Sequence, residues 1–122
     1  MREITSHRAD ASVGHLYLDV TDEPGLGGAN HEYRISWDGG MAGLRQTFIS
    51  FQHGPIAEVG VNGIDNESLL AIVADRLEAF QRGPFACTEN HAALGYVAAA
   101  LGALKARTHN RQKRGVEGTL NV

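Results

Sequence analysis

A run of positive charge near the end of the chain is the first feature with chemical potential. Five Lys or Arg residues and no carboxylate lie between Lys105 and Arg114, while the rest of the chain has a net charge of −8. On a helix, Arg107 and Arg111 are one turn apart and share a face. Two guanidinium groups on one face can bind a phosphate or pyrophosphate through paired hydrogen bonds. Cationic residues also commonly end a helix, where they complement its dipole, so both interpretations stay open.

A second pair of residues that can bind a ligand lies around a predicted turn. Phe80 is the last apolar residue of the first predicted helix, and Asn90 lies near the start of the second. An aromatic ring beside a side-chain amide can stack on a nucleobase and hydrogen-bond to its edge. Taken singly, each residue has a simpler interpretation, Phe80 as a core residue and Asn90 as a helix cap.

Residues that could support catalysis or hold a metal do not fall into recognisable patterns. The six histidines show no HxH or HExxH spacing, and no GxSxG, Walker or Rossmann pattern occurs. The single Cys87 excludes an intramolecular disulfide and a cysteine-based zinc site. We therefore interpret the histidines as surface residues, and the sequence predicts no catalytic residue, no metal site and no cofactor. The histidines scattered over predicted strands and turns are His7, His15, His31 and His53.

The length and composition predict a single folded domain over residues 1–122, with a small domain and an appended hairpin as the alternative. The chain has 122 residues, of which 43% are hydrophobic and 20% charged, as in folded soluble proteins. No apolar run reaches the roughly 20 residues that a membrane helix needs. The N-terminal sequence MREITSHRAD lacks the apolar core of a signal peptide. We therefore expect a protein without a membrane partner that stays in the cytoplasm where it is made.

The elements that must position these residues form an α+β pattern, with a small antiparallel sheet over residues 10–62 first. Alternating apolar residues separated by Pro, Gly and Asn clusters predict three strands, at Gly14–Thr21, His31–Trp37 and Leu44–Gln52. A short fourth strand is predicted at Pro55–Val61, and its initial proline places it at an edge.

For the second half, the sequence predicts an antiparallel two-helix hairpin over residues 65–115, followed by a tail over 116–122. Apolar residues at spacings of three and four mark both helices. Small residues flank the seam of the second helix, and a hairpin cannot bury so much apolar surface alone, so we infer self-association. The first helix is predicted to begin at a cap formed by Asp65 or Asn66 and to end at Gly83. The second is predicted to begin at the N-cap Thr88 and to end at Gly115.

Two stretches, FQRGPFACTENHAAL and KARTHNRQKRGVEGT, resemble the C-terminal hairpin shared by phage anti-defence sponge proteins. These are the first Thoeris anti-defence family and its shorter relative, the anti-CBASS cyclic-nucleotide sponge. The stretch FQHGPIAEVGVNGIDNESLLAIVADRLEAFQ resembles the segment leading into that hairpin, and the resemblance covers about Ser50 to Thr119. The predicted sheet ahead of the helices favours the Thoeris anti-defence family, whose members have one.

The resemblance implies a homohexamer in the host bacterial cytoplasm that binds cyclic nucleotide immune signals and does not cleave them. It implies glycocyclic ADP-ribose as the ligand, with cyclic trinucleotides in a second site in some members. The base-stacking aromatic of the family falls on Phe80 and its base contact on Asn90. Its phosphate-binding arginines fall on Arg107 and Arg111. The candidates for the second site are Arg114, Gly118 and Thr119.

The spacing of these residues along the second helix adds a prediction about assembly. Asn90 and Arg107 are 17 residues apart, about 25 Å on one helix, which is longer than a dinucleotide-sized ring. Two chains with antiparallel second helices can bring these ends together, so we expect pockets shared between chains. Two other functions stay open, a structural phage assembly subunit and a nucleic-acid-binding module using the Lys105–Arg114 face. The chain's net charge of −3 argues against the latter, and we expect no nucleic-acid partner.

Overall fold

In a computed structural model that describes residues 1–10 and 14–121, the chain forms two compact units. The first unit comprises Met1–Gly54 and Val59–Ile64, and the second comprises Pro55–Glu58 and the residues from Asp65 onwards. Residues 11–13 of the predicted sheet region and residue 122 of the predicted tail lie outside the described residues. The single domain over residues 1–122 stays a prediction.

The first unit contains a four-stranded antiparallel sheet. Its register places Val20 opposite Tyr33 and Tyr33 opposite Ile49, so these apolar side chains share one face. Val20 is only 1% exposed and forms the centre of this face. The sheet confirms the first part of the predicted α+β fold. In chain order and in spatial order, the strands are β1 (Arg2–Ile4), β2 (Tyr17–Val20), β3 (Glu32–Asp38) and β4 (Leu44–Ser50).

The predicted fourth strand at Pro55–Val61 is wrong. Residues Ile56–Val59 form a single helical turn, α1. Pro55 has no N–H for a strand ladder, and its carbonyl accepts a hydrogen bond from the N–H of Glu58 at 3.0 Å, which closes the turn. The fourth strand of the sheet is instead β1, whose three residues are too few for an alternating pattern.

The second unit contains the predicted helical hairpin. Helix α2 (Asn66–Gln81) and helix α3 (Thr88–Lys113) pack against each other, and the connection of six residues makes them antiparallel. The α+β class predicted from the sequence is therefore confirmed. No helix in the described part of the chain combines the length and the apolar character that crossing a membrane requires.

The ends of α3 correct one prediction and confirm another. Cys87, not Thr88, is the N-cap, because its Sγ accepts a hydrogen bond from the N–H of Asn90 at 3.4 Å. Thr88 is the first helical residue. Gly115 follows the helix with a φ of 70°, the left-handed conformation that ends many helices and favours glycine.

Replacing Asp65, the N-cap of α2, with alanine should cost about 1 kcal/mol of unfolding free energy at neutral pH. Asp65 Oδ1 accepts hydrogen bonds from the hydroxyl and the N–H of Ser68, at 2.5 and 2.8 Å. Both bonds lower the pKa of the Asp65 carboxyl from its ordinary value of 3.8, and the bond from the Ser68 hydroxyl has the larger effect. Partial burial opposes the shift. A lowered pKa means that the stabilisation is present above that value and is lost as the pH falls through the folded pKa.

Urea unfolding of the wild type and Asp65→Ala at about pH 7 and about pH 3 checks this, since the difference should shrink at the lower pH. Asp75→Ala is the matched control, because Asp75 is exposed within the same helix and caps nothing. An equal difference at both pH values would show that the carboxylate is not the source of the stabilisation.

Candidate functional site

Four residues meet where α2 turns into α3, and we call them the turn cluster: Arg76, Phe80, Phe85 and Asn90. The rings of Phe80 and Phe85 lie edge to face, with centroids 6.3 Å apart. The guanidinium carbon of Arg76 lies 5.5 Å from the centroid of the Phe80 ring, a cation–π contact. Nδ2 of Asn90 donates to the carbonyl oxygen of Phe85 at 3.4 Å. The structure therefore places Phe80 and Asn90 at the same end of the hairpin.

Local sequence explains how the cluster forms. Arg76 and Phe80 are one turn apart on α2, so their side chains meet on one face. Oε1 of Gln81 accepts a hydrogen bond from the N–H of Cys87 at 3.1 Å, which holds the connection closed. The bond between the Asn90 amide and Phe85 is long for an N–H···O bond, so a ligand can replace it at little cost.

The turn cluster suits a flat ligand with hydrogen-bonding edges. The Phe85 ring is 70% exposed and offers a face for stacking, beside the amide of Asn90 and the guanidinium of Arg76. Stacking on an aromatic ring together with hydrogen bonding from an amide is how proteins commonly hold an unpaired nucleobase.

Arg107 lies near the other end of α3 and is exposed. It forms no ion pair with any residue in the ranges 1–10 and 14–121. The 17 residues between Asn90 and Arg107 belong to one continuous helix, so they correspond to about 25 Å along its axis. The structure therefore does not bring Arg107 to the turn cluster of its own chain.

Arg111, one turn further along α3, is only 7% exposed because the C-terminal tail surrounds its guanidinium. Nε donates to Oε2 of Glu117 at 3.0 Å. Nη1 donates to the carbonyl oxygen of Asn121 at 2.6 Å. Nη2 donates to the carbonyl oxygens of Val116 and Thr119, at 2.9 and 3.1 Å. The side chain thus binds the tail of its own chain.

This arrangement differs from the open pair of guanidiniums that the spacing of Arg107 and Arg111 suggested. Arg111 has five N–H groups, and four hydrogen bonds to the protein leave it no free pair for a phosphate. The physical reason is that the tail turns back over the helix. Gly115 and Gly118, with φ values of 70° and 80°, permit that turn.

The three candidates for a second site lie at the end of α3 and in the tail. Arg114 is the C-cap residue of α3. The carbonyl of Gly118 accepts a hydrogen bond from the N–H of Ala57 at 3.4 Å. The carbonyl of Thr119 is one of the acceptors of Arg111. Arg111 therefore holds Thr119 in place, whereas Gly118 contacts Ala57.

The structure also brings together three residues that the sequence did not suggest as a group. Asp22, His31 and His53 each offer one potential ligand atom, and these atoms lie within 4.8 Å of one another. The interpretation of the histidines as surface residues is wrong for His31, which is 9% exposed. No linear spacing reveals this group. The signal that could have found it is the pairing of β3 with β4, which places the N–H of Phe51 on the carbonyl of His31 at 2.8 Å.

Comparison with known proteins identifies the family. Residues 44–108 match the Acb2/Tad1 hairpin domain, a range that includes Phe80, Asn90 and Arg107 and ends before Arg111. The chain is also 48% identical over 113 residues to Thoeris anti-defense 1 of Bacillus phage SBSphiJ7. That match covers 93% of this chain and 77% of the phage protein. Because the matched hairpin domain spans more than half of the chain, the chain belongs to the Acb2/Tad1 hairpin family.

Proposed function

We propose that this protein is a phage anti-defence sponge, which binds a nucleotide signal of the host's Thoeris system and retains it without cleaving it. The name of the 48%-identical relative, Thoeris anti-defense 1, supports the anti-defence role. The proposed ligand is a glycocyclic ADP-ribose in the host cytoplasm. A second site for a cyclic trinucleotide, around Arg114, Gly118 and Thr119, is part of the same proposal.

The observation that carries the proposal is the complementary chemistry of the two ends of α3. The turn cluster offers an exposed ring and an amide, which match a nucleobase. Arg107, at the other end, is an exposed cation that can bind a phosphate. A cyclic ADP-ribose presents a base and a pyrophosphate, so it requires both ends together.

One chain cannot close such a pocket, so we propose that two chains pack with their α3 helices antiparallel. Each chain then places its Arg107 beside the turn cluster of its neighbour. Exposed apolar surface on the hairpin supports association, since no described apolar side chain of α2 or α3 is fully buried and Tyr96 is 78% exposed. A homohexamer with pockets between chains is the assembly we propose.

The contacts of Arg111 give it a different part in this proposal from that of Arg107. We assign direct phosphate binding to Arg107, whose guanidinium is exposed. Arg111 supports the site by holding the tail in place through its four hydrogen bonds. A direct contact between Arg111 and phosphate would require those bonds to be exchanged for ligand oxygens.

Retention without cleavage fits the side chains that we assign to the pocket. Phe80, Phe85, Asn90 and Arg107 stack, hydrogen-bond and neutralise charge. None of them is a His, Asp, Glu, Lys, Tyr or Cys, the residue types that commonly act in general acid–base catalysis. This supports a binding role.

A melting screen against cyclic ADP-ribose isomers and cyclic di- and trinucleotides tests the proposal. We expect a cyclic ADP-ribose isomer to raise the melting temperature, because only a ligand that binds the folded state does so. The ligand released by heating the complex should have its original mass, whereas a hydrolysed product would indicate an enzyme. Asn90→Ala is the matched control, and it should lose most of the stabilisation.

The melting screen, together with a salt titration of oligonucleotide binding, separates the two alternative functions. A nucleic-acid-binding protein that uses the five cations between Lys105 and Arg114 would bind oligonucleotides and lose affinity steeply as salt is added. A pocket for a small ligand should depend far less on salt. A structural assembly subunit would show no shift with any nucleotide.

A further inference from the structure

We infer that Asp22, His31 and His53 form a binding site in the first unit for a divalent transition-metal cation, of which Zn²⁺ is the representative. Nε2 of His53 lies 4.0 Å from Oδ2 of Asp22, and one potential ligand atom from each of the three residues falls within 4.8 Å of the others. Ligand atoms around a tetrahedral Zn²⁺ are about 3.4 Å apart. A contraction of up to about 1.4 Å, within the reach of side-chain rotations, brings the three atoms to this spacing.

Two atoms of this group are buried and have no hydrogen-bond partner in the described structure. They are Oδ1 of Asp22 and Nδ1 of His31. Buried polar atoms in folded proteins nearly always have a partner, so an exception points to a missing one. A cation bound by the Asp22 carboxylate and the His31 ring would be the missing partner of these buried atoms.

The carboxylate and both rings are already held in place. Oδ2 of Asp22 accepts a hydrogen bond from the backbone N–H of His31 at 2.9 Å. The rings of His31 and His53 are in contact, with centroids 3.9 Å apart and planes tilted by 38°.

The local charge favours a cation. Oε1 of Glu32 lies 3.9 Å from Nε2 of His53 and offers an oxygen for a fourth position. In the part of the chain that the structure describes, neither Asp22 nor Glu32 forms an ion pair with Lys or Arg. Two imidazoles with carboxylate oxygens suit Zn²⁺ and other divalent transition-metal cations better than Mg²⁺ or Ca²⁺. The His53 side chain is 48% exposed, so an ion can reach the group from solvent.

Titrating the chelator-treated full chain with Zn²⁺ alone tests this site. We expect one Zn²⁺ per chain and a melting temperature at least about 5 °C higher at a hundredfold excess over Kd. His53→Phe keeps a ring against His31 but removes both nitrogens, and it should bind at least about tenfold more weakly. His15→Phe is the matched control, because His15 is exposed in the same unit, and it should behave as the wild type.

A second measurement keeps the inference open to contradiction if His53→Phe does not fold. Co²⁺ bound by imidazole and carboxylate absorbs visible light, and Asp22→Asn should abolish that absorption without removing any histidine. The inference is overturned if Zn²⁺ leaves the wild-type melting temperature unchanged. It is equally overturned if Zn²⁺ binds the wild type and His53→Phe alike.

Discussion

Chains carrying Asn90→Ala and chains carrying Arg107→Ala, each a poor binder alone, should recover tight ligand binding when they are refolded together. If each pocket takes Asn90 from one chain and Arg107 from its neighbour, an interface between unlike chains contains one intact pocket and one doubly altered pocket. With random mixing, about one pocket in four is intact. This follows from the length of α3, which keeps the two residues apart within a chain.

The expected losses in the single variants are large enough to make the recovery visible. Asn90→Ala leaves a base edge unpaired, which costs about 1–3 kcal/mol, or about 5–150-fold in affinity. Arg107→Ala removes a charge-assisted bond to phosphate, and such bonds are roughly twice as strong as neutral ones. The intact pockets keep the wild-type Kd, so the mixture shows fewer tight sites and not a uniformly weaker protein.

Titrating the co-refolded mixture with the ADP-ribose isomer identified by melting measures these sites, and native mass spectrometry shows whether the chains have mixed. Two differently tagged batches of Asn90→Ala chains are the control, because they can mix but cannot form an intact pocket. Mixed oligomers without any tight site would show that the pockets are not shared between chains.

Arg111→Ala should destabilise the second unit by about 2–3 kcal/mol and release the tail. The substitution removes four hydrogen bonds from a side chain that is 7% exposed. The cost lies below that of a fully buried ion pair because Glu117 is partly exposed and water can solvate it once Arg111 is gone. The midpoint of urea unfolding measures the stability. The rate at which a protease cleaves the tail that follows Gly115 measures its release.

Two variants separate the structural role of Arg111 from direct ligand binding. Arg107→Ala removes an exposed guanidinium from the same helix, so it should change stability by less than about 0.5 kcal/mol while weakening nucleotide binding. Arg111→Lys keeps the charge but lacks the planar fork of donors, so it should release the tail as Arg111→Ala does. If Arg111→Ala weakened binding with no loss of stability, the direct phosphate contact expected from the sequence would be the better account.

The strongly periodic parts of the fold could be predicted from the sequence. The apolar spacing and the capping residue Asp65 located α2, and Gly115 located the end of α3. The short elements could not be predicted, because β1 has three residues and the segment after Pro55 carries no more than one helical turn. In such segments local hydrogen bonds to neighbouring parts of the chain decide the structure, and residue patterns carry little information about them.

The candidate site was predictable where it depends on position along a helix. The short connection alone placed Phe80 and Asn90 at the same end of the hairpin. The burial of Arg111 was not predictable, because most of its acceptors are main-chain carbonyls that no residue pattern records. The approach of His31 to His53 depends on the register between β3 and β4, which fixes neighbours that are 22 positions apart in the sequence.

The way Arg111 holds the tail also has an evolutionary consequence. Three of its four acceptors are the carbonyls of Val116, Thr119 and Asn121, and every residue type offers a carbonyl. Selection for the path of the tail therefore acts on Arg111, on its side-chain acceptor Glu117 and on the two glycines with positive φ, while residues that offer Arg111 only a carbonyl can change their side chains. Under the proposed function, the tail can therefore change in sequence to suit a chemically altered ligand without a change in the hairpin that carries it.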